Sequence, residues 1–426
     1  MRSSAGSVGA GGTGIRQCRR IVARMAYDVA RVRERYPALA DGYAYLDGAA
    51  GTQVPYPVIE AIDEAYRVGI GNVHGAFPAS VRSDGYIAEC RAAVADLVGA
   101  PDPDGVVLGP NMTTLTYRLA AALAREWAAG DEVVVTRLDH DANVRPWVQV
   151  AERAGASVRW ADPDLSTGEL PVEAVTSLLD DRTRLVAVTG ASNVLGTRPD
   201  VAAITAAARS AGALSYVDGV HLTPHAPVSM ADLGADFFAT SAYKWSGPHV
   251  GAVAADPALL ERLRPDKLAS SPDTVPERFE WGTTAFADLA GVEAAVDHLA
   301  ALDEAAAGSR RQRVITSMTS VEAYEQELMT ELLSGLAALP GVELIGHPAR
   351  RTATVYFRVA GHPPVEVATH LAAAKVNVWA GHMYAWELTG ALGIRESGGA
   401  VRAGLVHYND RSDVDALLGG LAELTH

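Results

Sequence analysis

Five points along the chain place a reactive side chain just after a short β-branched run. Segment 105–109 leads into Asn111-Met112-Thr113-Thr114, a hydroxyl-bearing loop ahead of a helical stretch. Such a loop offers free helix-end amides and a positive dipole end, which suit a phosphate. Segment 132–138 leads into Asp139-His140-Asp141, and segment 184–190 leads into Ser192-Asn193. Segment 214–217 ends in Asp218-Gly219-Val220-His221, and 237–240 runs into Ser241-Ala242-Tyr243-Lys244. Taken singly, each has an ordinary explanation. A histidine is usually hydrogen-bonded, an aspartate before glycine makes a turn, an asparagine caps a helix and a lysine is a solvated charge. Together they define one chemistry. Lys244 follows Asp218 by 244 − 218 = 26 residues and stands near a phosphate loop, as pyridoxal phosphate requires. The lysine binds the aldehyde carbon, the aspartate keeps the pyridine nitrogen protonated and the loop anchors the phosphate.

These groups need a frame that brings five loops to one edge. Apolar runs at 105–109, 132–138, 158–162, 184–190, 214–219, 236–242 and 251–255 alternate with helical stretches such as 172–180 and 201–211. The pattern predicts an α/β unit with a seven-stranded, mostly parallel sheet covered on both faces. Ligands of such sheets bind beyond the carboxyl ends of the strands. After Thr283 the pattern changes. A helical region runs over 285–339, with charge-rich 303–313 as a turn, and strand-like runs recur at 342–345, 352–359, 376–379 and 401–407. This predicts a smaller α+β unit, with the helix beginning near Asp288 as the bridge. The expected organisation is an extension at 1–24, a segment at 25–44 packing on the small unit, a large cofactor-binding unit at 45–284 and a small unit at 285–426.

Composition narrows the class. The chain has 426 residues, 49% hydrophobic and 20% charged, enough to bury a core without staples. Thirty-six Lys and Arg against 51 Asp and Glu give a net charge of −15, a poor match for nucleic acid or an anionic membrane. Residues 1–24 hold five arginines and no acid, so the remainder carries −20. That stretch reads as a disordered extension or as sequence upstream of a working start at Met25. Its Gly9-Ala-Gly-Gly-Thr-Gly14 matches a dinucleotide fingerprint but lacks the strand and helix that make one work. Two cysteines, Cys18 and Cys90, leave no disulfide framework or cysteine-based metal centre. The expectation is a cytoplasmic enzyme without a metal.

From about Tyr36 to its end the chain resembles the class V aminotransferase group of fold-type I pyridoxal phosphate enzymes, in the cysteine desulfurase-like branch. The stretches that carry the resemblance are Tyr45-Leu-Asp-Gly-Ala-Ala50, Asn72-Val-His74, Asp139-His-Asp-Ala-Asn143, Ser192-Asn-Val-Leu-Gly-Thr197, Val217-Asp-Gly219, Ser241-Ala-Tyr-Lys244, Gly282-Thr283 and Val401-Arg402. The resemblance implies Lys244 as the cofactor-linked lysine, Asp218 on the pyridinium and His140 stacked on the ring. It implies Asn193 and His221 near the ring hydroxyl, and Met112 (by its backbone amide), Thr113, Ser241 and Tyr243 at the phosphate. Thr283 would reach the phosphate of a second copy in a homodimer. Arg402 would clamp a substrate carboxylate, with Ala49 and His74 also at the substrate.

Three departures matter. His221 stands where desulfurases usually have Gln, and Met112 where they have Thr. The larger departure is in the loop that carries the desulfurase cysteine, a Gly-His-His-Cys-type segment. Here it reads Gly381-His382-Met383-Tyr384. A phenol cannot accept sulfur, though it can donate a proton or orient a substrate. The expected activity is therefore at the α-carbon of a small or modified amino acid, as a C–S lyase or an aminotransferase. A desulfurase using an external thiol, an epimerase and a non-catalytic regulator are the alternatives. A metal-dependent hydrolase built on Asp139, His140, Asp141, His221 and His225 is a further one, but Pro224 breaks the helix it needs and Lys244 goes unexplained.

Overall fold

The computed structural model describes residues 27–425; the arginine-rich stretch at 1–24, with its glycine fingerprint and Cys18, lies outside them. Seven strands form the large sheet: β1 (Val106–Gly109), β2 (Glu132–Thr136), β3 (Ser157–Ala161), β4 (Thr183–Thr189), β5 (Leu214–Asp218), β6 (Phe237–Ser241) and β7 (Gly251–Ala255). Their order is β1-β7-β6-β5-β4-β2-β3. Only β7 runs antiparallel to its neighbours. The fold is that of the fold-type I enzymes the sequence resembles. Strand side chains alternate between faces. Val133 and Val135 join one core with Tyr216 and Phe237, while Val134 joins the other with Val217 and Phe238. With both faces covered, most of the strands read as apolar runs; the edge strand β3, only partly buried, keeps Ser157 and Arg159 in its sequence.

Five helices matter for the site: α1 (Tyr56–Val68), α2 (Pro78–Val98), α3 (Met112–Leu123), α4 (Phe286–Ala300) and α5 (Arg310–Ala338). The helix expected to bridge, α4, instead packs beside α1 and α2. The bridge is α5. Its Val314, Met318 and Val321 enter the large-sheet core, and its Leu328, Met329, Leu332 and Leu336 enter a separate core. Ser309 and Gln312 start α5 with a reciprocal capping box. That second core lies under an antiparallel sheet of β8 (Val342–Leu344), β9 (Thr354–Val359), β10 (Trp379–Gly381) and β11 (Ala400–Gly404), ordered β10-β11-β9-β8. The run expected as one strand at 376–379 divides between sheets. Val376–Asn377 pairs parallel with Ala44–Tyr45, whereas Trp379–Gly381 pairs with β11.

The segment before Ala44 touches both bodies. Tyr27 donates to the His407 carbonyl (2.9 Å), and Arg33 reaches the Tyr408 carbonyl and Asp413 (2.8 Å each). Val32 and Tyr36 sit in the large-sheet core. No described helix is long and apolar enough to cross a membrane.

Candidate active site

Parallel pairing puts the carboxyl ends of β2, β4, β5 and β6 on one edge, and the predicted side chains follow from it. Asp218 is the last residue of β5, Lys244 lies three beyond β6, and His140 and Asn193 lie four beyond β2 and β4. At the other side, α3 starts three residues after β1, capped by Asn111, whose side chain accepts from the Thr114 amide (2.9 Å). The first turn of α3 lies hard against β7. A Cβ on Gly251 would come within 2.5 Å of the Met112 nitrogen, so only glycine lets the loop approach.

The result is a cavity lined by Met112, Thr113, His140, Asn193, Asp218, His221, Tyr243 and Lys244, with Thr189, Ala191 and Val220 completing the wall. Ser241 lies just outside this lining, its hydroxyl accepting from the Met112 amide (3.0 Å). Lys244 Nζ donates to the Ala49 carbonyl (2.6 Å). Burial, reinforced by Arg402, pulls the Lys244 amine down to about 7, against the opposing pull of Asp218. Asp218 accepts from the Val220 amide (3.0 Å), and burial raises its carboxyl to about 6. His140 Nδ1 accepts from the Ala142 amide (3.0 Å), so in the neutral ring the proton sits on Nε2. Burial, with Lys244 and Arg402 nearby, depresses that imidazole to about 3.

Three groups come from the small sheet. Arg402 on β11 is buried and donates to the Asn193 carbonyl (3.0 Å). Burial draws its guanidinium to about 10, while Asp47 and Tyr356 oppose the shift. Thr352 and Thr354 bring hydroxyls to His221 Nε2 (3.2 and 3.1 Å). Tyr384 hangs at the mouth, 66% exposed, with its ring centroid 5.2 Å from that of His140. Its carbonyl accepts from the Asp141 amide (2.8 Å), and the Met383 carbonyl accepts from Asn193 Nδ2 (2.7 Å). Both residues hold left-handed backbone (φ 49° and 58°). The loop is thus fastened by its carbonyls to the loops that carry His140 and Asn193.

His74 and Thr283 do not join this cavity. Both line a separate, open one of about 1590 Å³ beside Trp281 and Arg118. Asp47 went without a role in the sequence, and Asp139 had one only in the hydrolase alternative. Asp139, wholly buried, binds Thr136 and Asn143, and burial raises its carboxyl to about 8. The acid beside His140 was its only signal. Asp47 lies in a quoted stretch; burial raises its carboxyl and Arg402 opposes that. Among the described residues no group of three or more His, Cys, Asp or Glu could hold a metal ion, so the five residues of the hydrolase alternative do not converge.

Two buried polar atoms at the cavity, Asn193 Oδ1 and His221 Nδ1, have no partner in the protein. Unpaired buried polar groups are costly, and a ligand offering complementary groups relieves the cost. A pyridine ring with a hydroxyl, an aldehyde and a phosphate matches the set: Asp218 for the ring nitrogen, Lys244 for the aldehyde, the start of α3 for the phosphate. Fold and site together define a pyridoxal phosphate enzyme.

The comparisons agree. The family model for aminotransferase class-V matches residues 44–417. An uncharacterized protein of Mycobacterium tuberculosis is 40% identical over 94% of this chain and 100% of its own. A cysteine desulfurase of Yersinia pestis is 31% identical over 94% of this chain and 99% of its own. Among solved structures, a cysteine desulfurase of Escherichia coli superposes with a TM-score of 0.81 at 30% identity, covering 94% of this chain and 100% of that one. An apo cysteine desulfurase of Thermococcus onnurineus gives 0.84 at 28% identity, covering 95% and 99%. The chain belongs to the class V aminotransferase family, in its cysteine desulfurase-like branch, and is a pyridoxal phosphate-dependent enzyme.

Proposed function

We propose that this enzyme acts on the α-carbon of a small amino acid and expels a sulfur substituent by β-elimination, without passing the sulfur to a cysteine of its own. The observation that carries the reading is the pairing of a complete cavity floor with a phenol at the mouth. Cys90, the cysteine among the described residues, is wholly buried in α2, and burial raises its thiol far above the usual range. A persulfide needs an accessible thiolate, and Cys90 is neither. When bound, the cofactor supplies an electron sink for charge developing at the α-carbon. Arg402 holds the substrate carboxylate through its planar fork. Lys244, whose amine burial pulls down to about 7, takes the α-proton. Asp218 would present its carboxylate to the ring nitrogen, and neutral His140 would pack over the ring. Tyr384 gives a proton to the departing sulfur. For cysteine the balance is cysteine plus water to pyruvate, ammonia and hydrogen sulfide.

A second copy of the chain completes the reading. Tyr66, Phe77, Val81, Leu268 and Trp281 are exposed around the cavity that holds His74 and Thr283 or on the helices beside it. Exposed apolar side chains of this kind suit a homodimer, with Thr283 offered to the neighbour's phosphate site and His74 to its substrate. Light scattering should give a dimer mass. The function itself is tested by loading the protein with pyridoxal phosphate and supplying cysteine, cystine and selenocysteine in turn. Pyruvate released with an equal amount of sulfide from cysteine, selenide from selenocysteine or thiocysteine from cystine supports elimination; amino transfer to an added keto acid without pyruvate contradicts it.

A further inference from the structure

Behind His221 the protein buries an acid that the reaction above does not use. Glu325 on α5 and His225 are 1% and 2% exposed, and Glu325 Oε2 lies 2.7 Å from His225 Nδ1. The His225 ring meets that of His221 edge-on, with centroids 4.9 Å apart and planes at 66°. Three atoms of this chain of groups have no partner in the protein: His221 Nδ1, His225 Nε2 and Glu325 Oε1. Breaking such a buried pair leaves an uncompensated charge, and an apolar pair of similar volume would often be at least as stable. A stability role therefore explains it poorly.

The hydrogen bonds give the chain a direction. Thr354 is fully buried, and its hydroxyl has only His221 Nε2 as an acceptor. Its proton therefore points to Nε2, and in a neutral His221 the ring proton sits on Nδ1. At the other end His225 Nδ1 faces a carboxylate, so it carries the proton and leaves Nε2 to face the rest of the chain. Thr354 thus donates to His221 and His225 donates to Glu325, while the two rings meet edge-on with no hydrogen bond between them.

We propose that His225 and Glu325 are positioning residues that act through His221: they hold its ring neutral with the proton on Nδ1, and so bias the charge state of the lysine–cofactor unit in the adjoining cavity. The inference rests on the reading that His221 lies beside the bound cofactor. The groups facing His221 are His225, Lys244, Arg402 and His140, all of which disfavour a second proton on it, as does burial. Those around Glu325 are His225 and Glu322, with Tyr27 and Tyr324 at greater reach. Removing the Glu325 carboxylate leaves the cavity more positive, and removing His225 leaves the carboxylate uncompensated.

The test is the pH midpoint of the visible absorption band of the pyridoxal phosphate-loaded protein. Glu325→Gln should lower the midpoint by roughly half a unit, a fraction of the shift a charge in direct contact gives. His225→Gln should move it the other way. In a His221→Gln background both changes should move it less. In the cofactor-free protein, ¹⁵N shifts should show the His221 proton on Nδ1. Melting temperatures that fall with an unmoved midpoint would overturn the proposal, as would shifts of undiminished size without His221. Should Glu325→Gln fail to accumulate, His225→Gln and the ¹⁵N assignment decide alone. A wild-type protein that takes up no cofactor would refute the underlying reading instead, and the ¹⁵N result would still stand for or against the pair.

Discussion

The floor and the mouth of the cavity are built to different rules. The floor is made of strand ends in a sheet buried on both sides, and its ionisable groups are pushed far from their solution behaviour: Lys244 down to about 7, Asp218 up to about 6, His140 down to about 3. The mouth is a loop of the small sheet with left-handed backbone at Met383 and Tyr384 and an exposed phenol. Burial makes the floor reactive and fixes what it can do, because a shifted group needs its whole surroundings preserved. The mouth is held by backbone carbonyls rather than by its side chains, so side chains there can change while the loop stays fastened. On the proposed function, the floor carries the chemistry at the α-carbon, and the mouth decides where the substrate's side chain goes.

That contrast is open to attack at both ends. The largest effect belongs to Lys244→Ala, which should abolish the visible band and lower turnover at least about a thousandfold. In the native protein the uptake of pyridoxal phosphate should rise with pH around a midpoint near 7, since the amine must lose its proton to attack. A midpoint near that of a free lysine would show that the floor does not tune it. Asp218→Asn should keep the colour and lose about a hundredfold in turnover, read by steady-state rates. At the mouth, Tyr384→Phe should slow release of sulfide about tenfold while cofactor affinity stays unchanged. Tyr384→Cys should divert part of the sulfur to the protein, with alanine as the companion product. If either mouth variant weakened cofactor binding as much as Asp218→Asn weakened turnover, the division into floor and mouth would be wrong.

A smaller effect concerns stability. The Asp139 carboxyl, raised by burial from 3.8 to about 8, stays protonated in the folded protein where the unfolded chain ionises. Its contribution is full below pH 4 and is lost as pH rises towards 8. Asp139→Asn should flatten the decline in melting temperature across that window by a few degrees, with calorimetry as the check.

Much of the floor was legible in the sequence because each strand announced itself as an apolar run and each run ended in a group that chemistry could use. Asp218 and Lys244 needed only their spacing and the parallel sheet to be placed together. What was not legible came from long-range packing. Nothing local marks α5 rather than α4 as the bridge, since both are helical and only tertiary burial divides Val314 from Leu332. The run at 376–379 gives no sign that it changes sheets. Thr352 and Thr354 face His221 from the other sheet, and the Met383 and Tyr384 carbonyls find their donors near residues 140 and 193. His74 and Thr283, assigned by resemblance, lie outside the cavity of a single chain.

The central claim is that sulfur leaves this enzyme free rather than bound to it. The direct measurement is a single-turnover reaction of the loaded protein with cysteine, with products quantified and the intact protein weighed by mass spectrometry. Equal pyruvate and sulfide, with no alanine and no added sulfur on the protein, is the result expected. Alanine matched by one sulfur atom per chain would contradict it.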